Sequence, residues 1–128
     1  MAGEHDLALL LREMRPVLHP EPYGFTLQGV AAVAVPFALI AEDEGMTVIA
    51  PLSALQAAGL AGAEPMARIS LTIHSALTAV GLTAAIAGAL AARGISANVV
   101  AGFHHDHVFL PWDRKDDAMA ALRALSDV

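Results

Sequence analysis

"LTIHSALTAVGLTAAIAGALAARGISANVVAGFHHDHVFLP", residues 71–111, is the stretch that decides the fold class. It opens inside "ARISLTIHS" (67–75), which reads as a strand, and then changes period. Across 79–93 the residues Leu82, Ile86 and Leu90 recur every four positions, one side of a helix. Gly94 then stands where a helix closes with a left-handed residue. "ISANVVAGF" (95–103) and "HVFLPW" (107–112) read as two further strands, with the histidine cluster of 104–107 at the tip between them. Strand, helix, then a strand pair in one run is a mixed α+β pattern.

Working outward, Asp113 is placed to cap a last helix in which Ala118, Ala121, Leu122 and Leu125 fall at i, i+3, i+4 and i+7. At the other end Asp6 caps a helix with Leu7, Leu10, Leu11 and Met14 as its stripe, ended by Pro16. "YGFTLQ" (23–28) alternates as a strand. "VPFALIAED" (35–43) and "MTVIAP" (46–51) flank a hairpin turn at Glu44-Gly45. Ser53 is placed to cap a short helix that stops at Gly59, and "LAGAEP" (60–65) is the candidate linker. An internal echo joins the halves. "TVIAPLSALQAAGL" (47–60) and "HVFLPWDRKDDAMAALRAL" (107–125) both run apolar strand, proline, then a helix with paired alanines. The division expected is therefore 1–62 and 63–128.

A chain of 128 residues makes one domain or two small modules sharing a core. At that length it buries about 68–70% of its unfolded surface and needs no staple. It has no cysteine, which removes disulfides, thiolate zinc and cysteine nucleophiles and suits a reducing cytoplasm. The start, "MAGEHDLALLLREM", carries acid where a secretory signal carries base, so no targeting peptide is expected. The net charge of −6 argues against nucleic acid, which needs a basic face. Mean hydropathy is high, +0.58, and two stretches, 24–41 and 76–92, raise the question of a membrane. Both are rich in alanine and glycine, the first holds Gln28 and Pro36, and neither has basic flanks or an aromatic belt. The expectation is no membrane span.

The 71–111 stretch resembles the ACT-domain family, in its aspartokinase-type modules and a group of small bacterial ACT-like proteins. "YGFTL", "EDEGMTVIAP" and the strand–"VGL"–"RGISANVV"–"DHVFLP" series carry the resemblance over the whole chain, most specifically in its second half. It implies a ferredoxin-like antiparallel sheet with helices on one face and two interlocked ACT-type modules. It also implies an amino acid bound between modules as a regulatory signal passed to an attached enzyme or partner; no cofactor is expected, and the residues themselves offer little for catalysis. Ser75, Ala76, Val80, Gly81 and Leu82 carry over as the segment lining the effector pocket. Asn98 matches a position where the aspartokinase-type modules often carry a polar residue facing the effector, and Asp106 matches a family aspartate.

Physical chemistry leaves each of these with two readings. N–H groups at a helix start near Val80 can hold a carboxylate, and Gly81 lets a ligand approach; equally, Gly81 lets the helix pack tightly. The Asn98 amide can donate and accept, or simply sit exposed on a half-covered sheet. Asp106 can pair with an ammonium, or bond its own turn. His105 and His107, two apart on a strand, share a face about 6.5 Å apart, a metal spacing with His74 as the available third ligand. The alternative reading of the cluster, and the one expected here, is a hairpin tip with solvated histidines. Ser75 beside His74 is no dyad, because neighbours on a strand point to opposite faces. Glu42, Asp43 and Glu44 read as a solvated turn, and Glu4, Asp116 and Asp117 as helix-terminal charges.

The expectation is a non-enzymatic, amino-acid-binding module that forms a homodimer through exposed sheet edges. A ligand-free docking or dimerisation domain is the alternative, and a metal-dependent hydrolase on His74, His105 and His107 the third reading.

Overall fold

The Asp6 side chain accepts a hydrogen bond from the Leu9 N–H at 3.2 Å and so starts the first helix at the expected residue. The structure, a computed structural model, describes residues 6–73 and 80–127. In chain order its elements are α1 (Leu7–Glu13), β1 (Pro16–Leu18), β2 (Tyr23–Leu27), β3 (Ala38–Glu42), β4 (Gly45–Pro51), α2 (Leu52–Ala57), β5 (Met66–Leu71), α3 (Leu82–Ala91), β6 (Asn98–Ala101), β7 (Asp106–Pro111) and α4 (Lys115–Ser126). Within the described residues no helix is long and apolar enough to cross a membrane. Of the two suspect stretches, the first holds β2 and β3, and α3 spans 10 residues of the second.

The chain divides into two compact units. One is Pro20–Met66; the other joins the residues up to His19 to those from Ala67 onward. The sequential division at 62/63 falls close to the second boundary, but the contacts draw the first 19 residues into the later unit. The reason is β1, which the sequence reading passes over as the end of a helix. Pro16, Val17 and Leu18 pair antiparallel with Leu71, Ser70 and Ile69 of β5. Three residues are too few for alternation to register.

In this joined unit the strands lie in the order β1-β5-β7-β6. That is the ferredoxin-like order, with its last strand supplied from the N-terminal end of the chain. Ala67, Ile69 and Leu71 of β5 and Val108 and Leu110 of β7 face one way. They are sealed by Leu10 and Met14 of α1, Leu82, Ile86 and Leu90 of α3, and Ala118, Ala121 and Leu122 of α4. Each fully buried Leu or Ile stabilises by roughly 1.5–3 kcal/mol, so these stripes hold the helices on the sheet. Gly94, with φ of 70°, closes α3 as expected, and Ile95 turns its N–H back to the Leu90 carbonyl at 3.0 Å. Arg114 also reaches this end, donating to the carbonyls of Arg93 at 3.0 Å and Gly94 at 3.4 Å.

Two expected caps are not used. Asp113 lies in a 3-10 turn, Trp112–Arg114, and no side chain caps α4. No side chain caps α2 either, since Ser53 sits inside that helix and donates to Glu21 Oε1 at 3.3 Å. In both places the strand-ending proline sets the corner first, and the helix starts directly or through the 3-10 turn.

In the Pro20–Met66 unit the order is β3-β4-β2. The β3–β4 ladder ends at Glu42↔Gly45, so the two-residue turn is Asp43-Glu44, one position before the expected pair. Val33, Val48, Ala50 and Leu55 form its buried cluster. A Cβ on Gly24 would lie 2.8 Å from both Ala63 Cβ and Leu52 Cδ2, so glycine is what lets α2 and the following loop close on β2.

Candidate functional site

The segment singled out by the resemblance is described in part. Ser75, Ala76 and His74 lie outside the described residues. Val80 is 83% exposed, Gly81 is the N-terminal cap residue of α3 with φ of 98°, and among the described residues no side chain caps the helix there. Leu82, by contrast, is 4% exposed and belongs to the core, so its side chain packs the helix down and only its backbone can face a ligand. A Cβ on Gly81 would come within 2.9 Å of Leu7 Cδ2 on α1. Glycine is thus required by conformation and by packing, and the packing partner is α1.

Asn98 and Asp106 lie on paired strands but not on one face. The register pairs Asn98 with Phe109 and Ala101 with Asp106. Alternation then sets Asn98, Val100, His107 and Phe109 on one side and Val99, Asp106, Val108 and Leu110 on the other, where Val108 and Leu110 meet the core. Asn98 is exposed, and its amide donates to the Phe109 carbonyl at 3.3 Å. Asp106, half-buried, is on the side of the sheet that carries α3.

The histidines divide differently from expectation. His105 precedes β7 and belongs to the turn, where its carbonyl accepts from the Gly102 N–H at 2.9 Å. Its ring Nδ1 lies 3.4 Å from the Ile73 carbonyl. Phe103, 66% exposed, and the exposed His104 form an edge-to-face pair at 5.1 Å. These two are the solvated tip. His107 is not part of it, because its Nδ1 makes a 2.8 Å hydrogen bond with Ser70 Oγ on β5. The same hydroxyl lies 3.0 Å from His19 Nε2, just past β1. Ser70 is the buried polar residue at the centre, 7% exposed, between two half-buried rings.

The His107 ring is pushed down from the ordinary histidine value to about 4. Burial is the largest cause, and the positive charges of Arg68, His105 and His19 act in the same direction. At neutral pH the ring is therefore uncharged. Gly102 lies against it, since a Cβ there would sit 3.5 Å from His107 Nε2 and 2.9 Å from the His105 carbonyl oxygen.

Sequence reasoning missed His19 and Ser70. Neither stands in a motif, and they meet only because β1 docks beside β5. The one signal available was the even-numbered polar series Arg68, Ser70, Thr72 against the apolar Ala67, Ile69, Leu71. That marks a polar second face on an otherwise buried strand. Among the described residues no three metal-ligating side chains are gathered as a metal site.

Comparison with known proteins agrees with this architecture. Residues 2–67 match the ACT domain family, and residues 67–124 match it again. No curated protein matches the chain. Among solved structures, a Vibrio cholerae protein of unknown function, described as a possible transport protein, is 41% identical, with 91% of this chain and 92% of that one covered and a TM-score of 0.78. A protein from Agrobacterium tumefaciens is 14% identical, with 89% and 90% covered and a TM-score of 0.70. The ligand-free regulatory subunit of aspartate kinase from Thermus thermophilus is also 14% identical, with 86% and 95% covered and a TM-score of 0.60. The latter two share the fold alone. With both of its halves matched in succession, the chain belongs to the ACT domain family and carries two ACT modules.

Proposed function

We propose that this chain is a non-enzymatic regulatory module of the cytoplasm that binds an α-amino acid at the start of α3. ACT domains are typically small-molecule regulatory domains, and here there are two of them. The observation that carries the reading is the start of α3, where the cap residue Gly81 has no side chain of its own and Val80 before it is exposed. Backbone N–H groups at such an end, aided by the helix dipole, suit a carboxylate. What supports Asp106 as the ammonium partner is its strand parity, which sets it on the helix-bearing side of the sheet. An α-amino acid satisfies both ends, whereas a simple acid or amine satisfies one. Losing one charge-assisted contact costs about 1.5–3 kcal/mol, roughly ten- to a hundredfold in affinity.

A thermal-shift panel of all amino acids with their deaminated and decarboxylated analogues tests this. One amino acid should raise the melting point at millimolar concentration and its analogues should do so far less. Asp106→Ala should remove that preference and leave the fold intact. A flat panel sinks the ligand reading.

A second reading, dimerisation, has its own observation. The edge strand β3 exposes Leu39 and Ile40, 52% and 43% accessible on opposite faces. We infer a homodimer in which two β3 strands pair antiparallel about a two-fold axis, a geometry that keeps the two Glu42-Asp43-Glu44 turns at opposite ends. If no ligand is found, this docking role stands alone.

A further inference from the structure

β5 turns Ala67, Ile69 and Leu71 to the core, so Arg68 and Ser70 point to the opposite side of the sheet. On one flank Val17 pairs with Ser70, and the chain leaving β1 brings His19 alongside, its N–H on the Arg68 carbonyl at 3.0 Å. On the other flank β7 neighbours β5 and presents His107, with His105 close enough to act on its charge. A guanidinium, three imidazoles and a hydroxyl thus come from four separate segments to one place. We propose that this face binds a small oxyanion, a phosphate or a carboxylate, with Arg68 as its fixed charge, Ser70 as its central hydroxyl and His19 and His107 as donors that engage on protonation.

Three observations support the assignment. The donor set is the one that oxyanions select, a planar guanidinium fork beside N–H and O–H groups. The chain carries a net charge of −6 and seven Lys and Arg residues, yet here cationic and protonatable groups face one another. Arg68 and Ser70 face His107 from β5, His19 faces it from the end of β1, and His105 faces it from the turn; the charged ones all oppose its protonation. An anion among them reverses that balance.

The third observation is the arithmetic of Ser70. Its single hydroxyl hydrogen can serve only one of the two ring nitrogens at 2.8 and 3.0 Å, so the other ring must donate to it. When both rings are protonated, both donate to Oγ. The hydroxyl hydrogen is then released to an anion. Anion uptake is coupled to proton uptake, and affinity rises as pH falls towards the His107 value, about 4. This site lies on the opposite side of the sheet from the start of α3, and its occupancy is independent of the amino-acid reading.

The test uses the whole chain with labelled histidine rings, titrated by NMR in chloride, phosphate and acetate at matched ionic strength. In chloride His107 should titrate near 4. In phosphate, in acetate or in both, its midpoint should rise by about one pH unit, equivalent to roughly tenfold tighter binding to the protonated form. A rise in phosphate alone assigns a phosphoryl ligand, and a rise in acetate a carboxylate. Arg68→Gln should abolish the rise; if that variant does not fold, Ser70→Ala should weaken it several-fold. An unchanged midpoint in all three salts, or an equal rise in every folded variant, overturns the proposal.

Discussion

In the unit that joins the two ends of the chain, α1, α3 and α4 close over one side of β5 and β7, and Ile86, Leu90, Leu110 and Leu122 have no accessible surface. In the Pro20–Met66 unit a six-residue helix rests on three strands, and the buried cluster is Val33, Val48, Ala50 and Leu55. Both nevertheless turn the same corner. Pro51 ends β4 at φ −54°, ψ 142°, and Pro111 ends β7 at φ −54°, ψ 135°, each leading into a helix. What differs is how much helix follows: α2 stops at Ala57, whereas α4 runs 12 residues to Ser126. Identical corners therefore do not give equal cores. In this smaller unit Val35 is 89% exposed and Leu39 on β3 is 52% exposed.

If the joined unit is the stable one, damage to its core should cost the most. Ile86→Ala should lower unfolding free energy by about 2–5 kcal/mol in urea titration, the range for emptying a fully buried site. A loss below about 1 kcal/mol would mean that α3 is not anchored as described. Gly24→Ala probes the smaller unit, where tight closure substitutes for volume. The added methyl meets Ala63, Leu52 and Leu55 at 2.8–2.9 Å and should cost about 1–3 kcal/mol. A neutral result would show that α2 yields freely.

A pH series sharpens the comparison from the polar side. The folded-state value of His107, about 4, lies below its unfolded value, so the unfolded chain binds the extra proton first. Stability should be unaffected above about pH 6.5 and fall as pH drops towards 4, by roughly 1–2 kcal/mol after screening at a half-buried ring. His107→Gln should flatten that slope, read from melting points against pH. The smallest effect is expected at the edge strand. Leu39→Lys should change monomer stability by under about 0.5 kcal/mol yet dissociate the proposed dimer in sedimentation. A dimer unaffected by the charge would move the interface elsewhere.

The sequence announced the elements with strong periodicity and hid those without it. Leu82, Ile86 and Leu90 spelled out α3, Gly94 its end, and Asp6 the start of α1, because each rests on local chemistry. Ser53 and Asp113 misled as caps, since a strand-ending proline fixes the corner before a side chain can. β1 was illegible at three residues, and with it went the meeting of His19 with Ser70. The histidine cluster invited a reading from neighbours in sequence. His107 is held instead by Ser70, 37 positions away, whose hydroxyl also meets His19, 51 positions from Ser70, and no local pattern encodes either contact.

The pairing of Val17 with Ser70 also sets an order of events during synthesis. The strand PVL leaves the ribosome before β5 and has no partner there until the whole Pro20–Met66 segment has followed it. At about 5–20 residues per second that interval lasts several seconds, ample time for the contiguous segment to fold by itself. During synthesis the Pro20–Met66 segment is thus complete before the β1–β5 pair that flanks it can close.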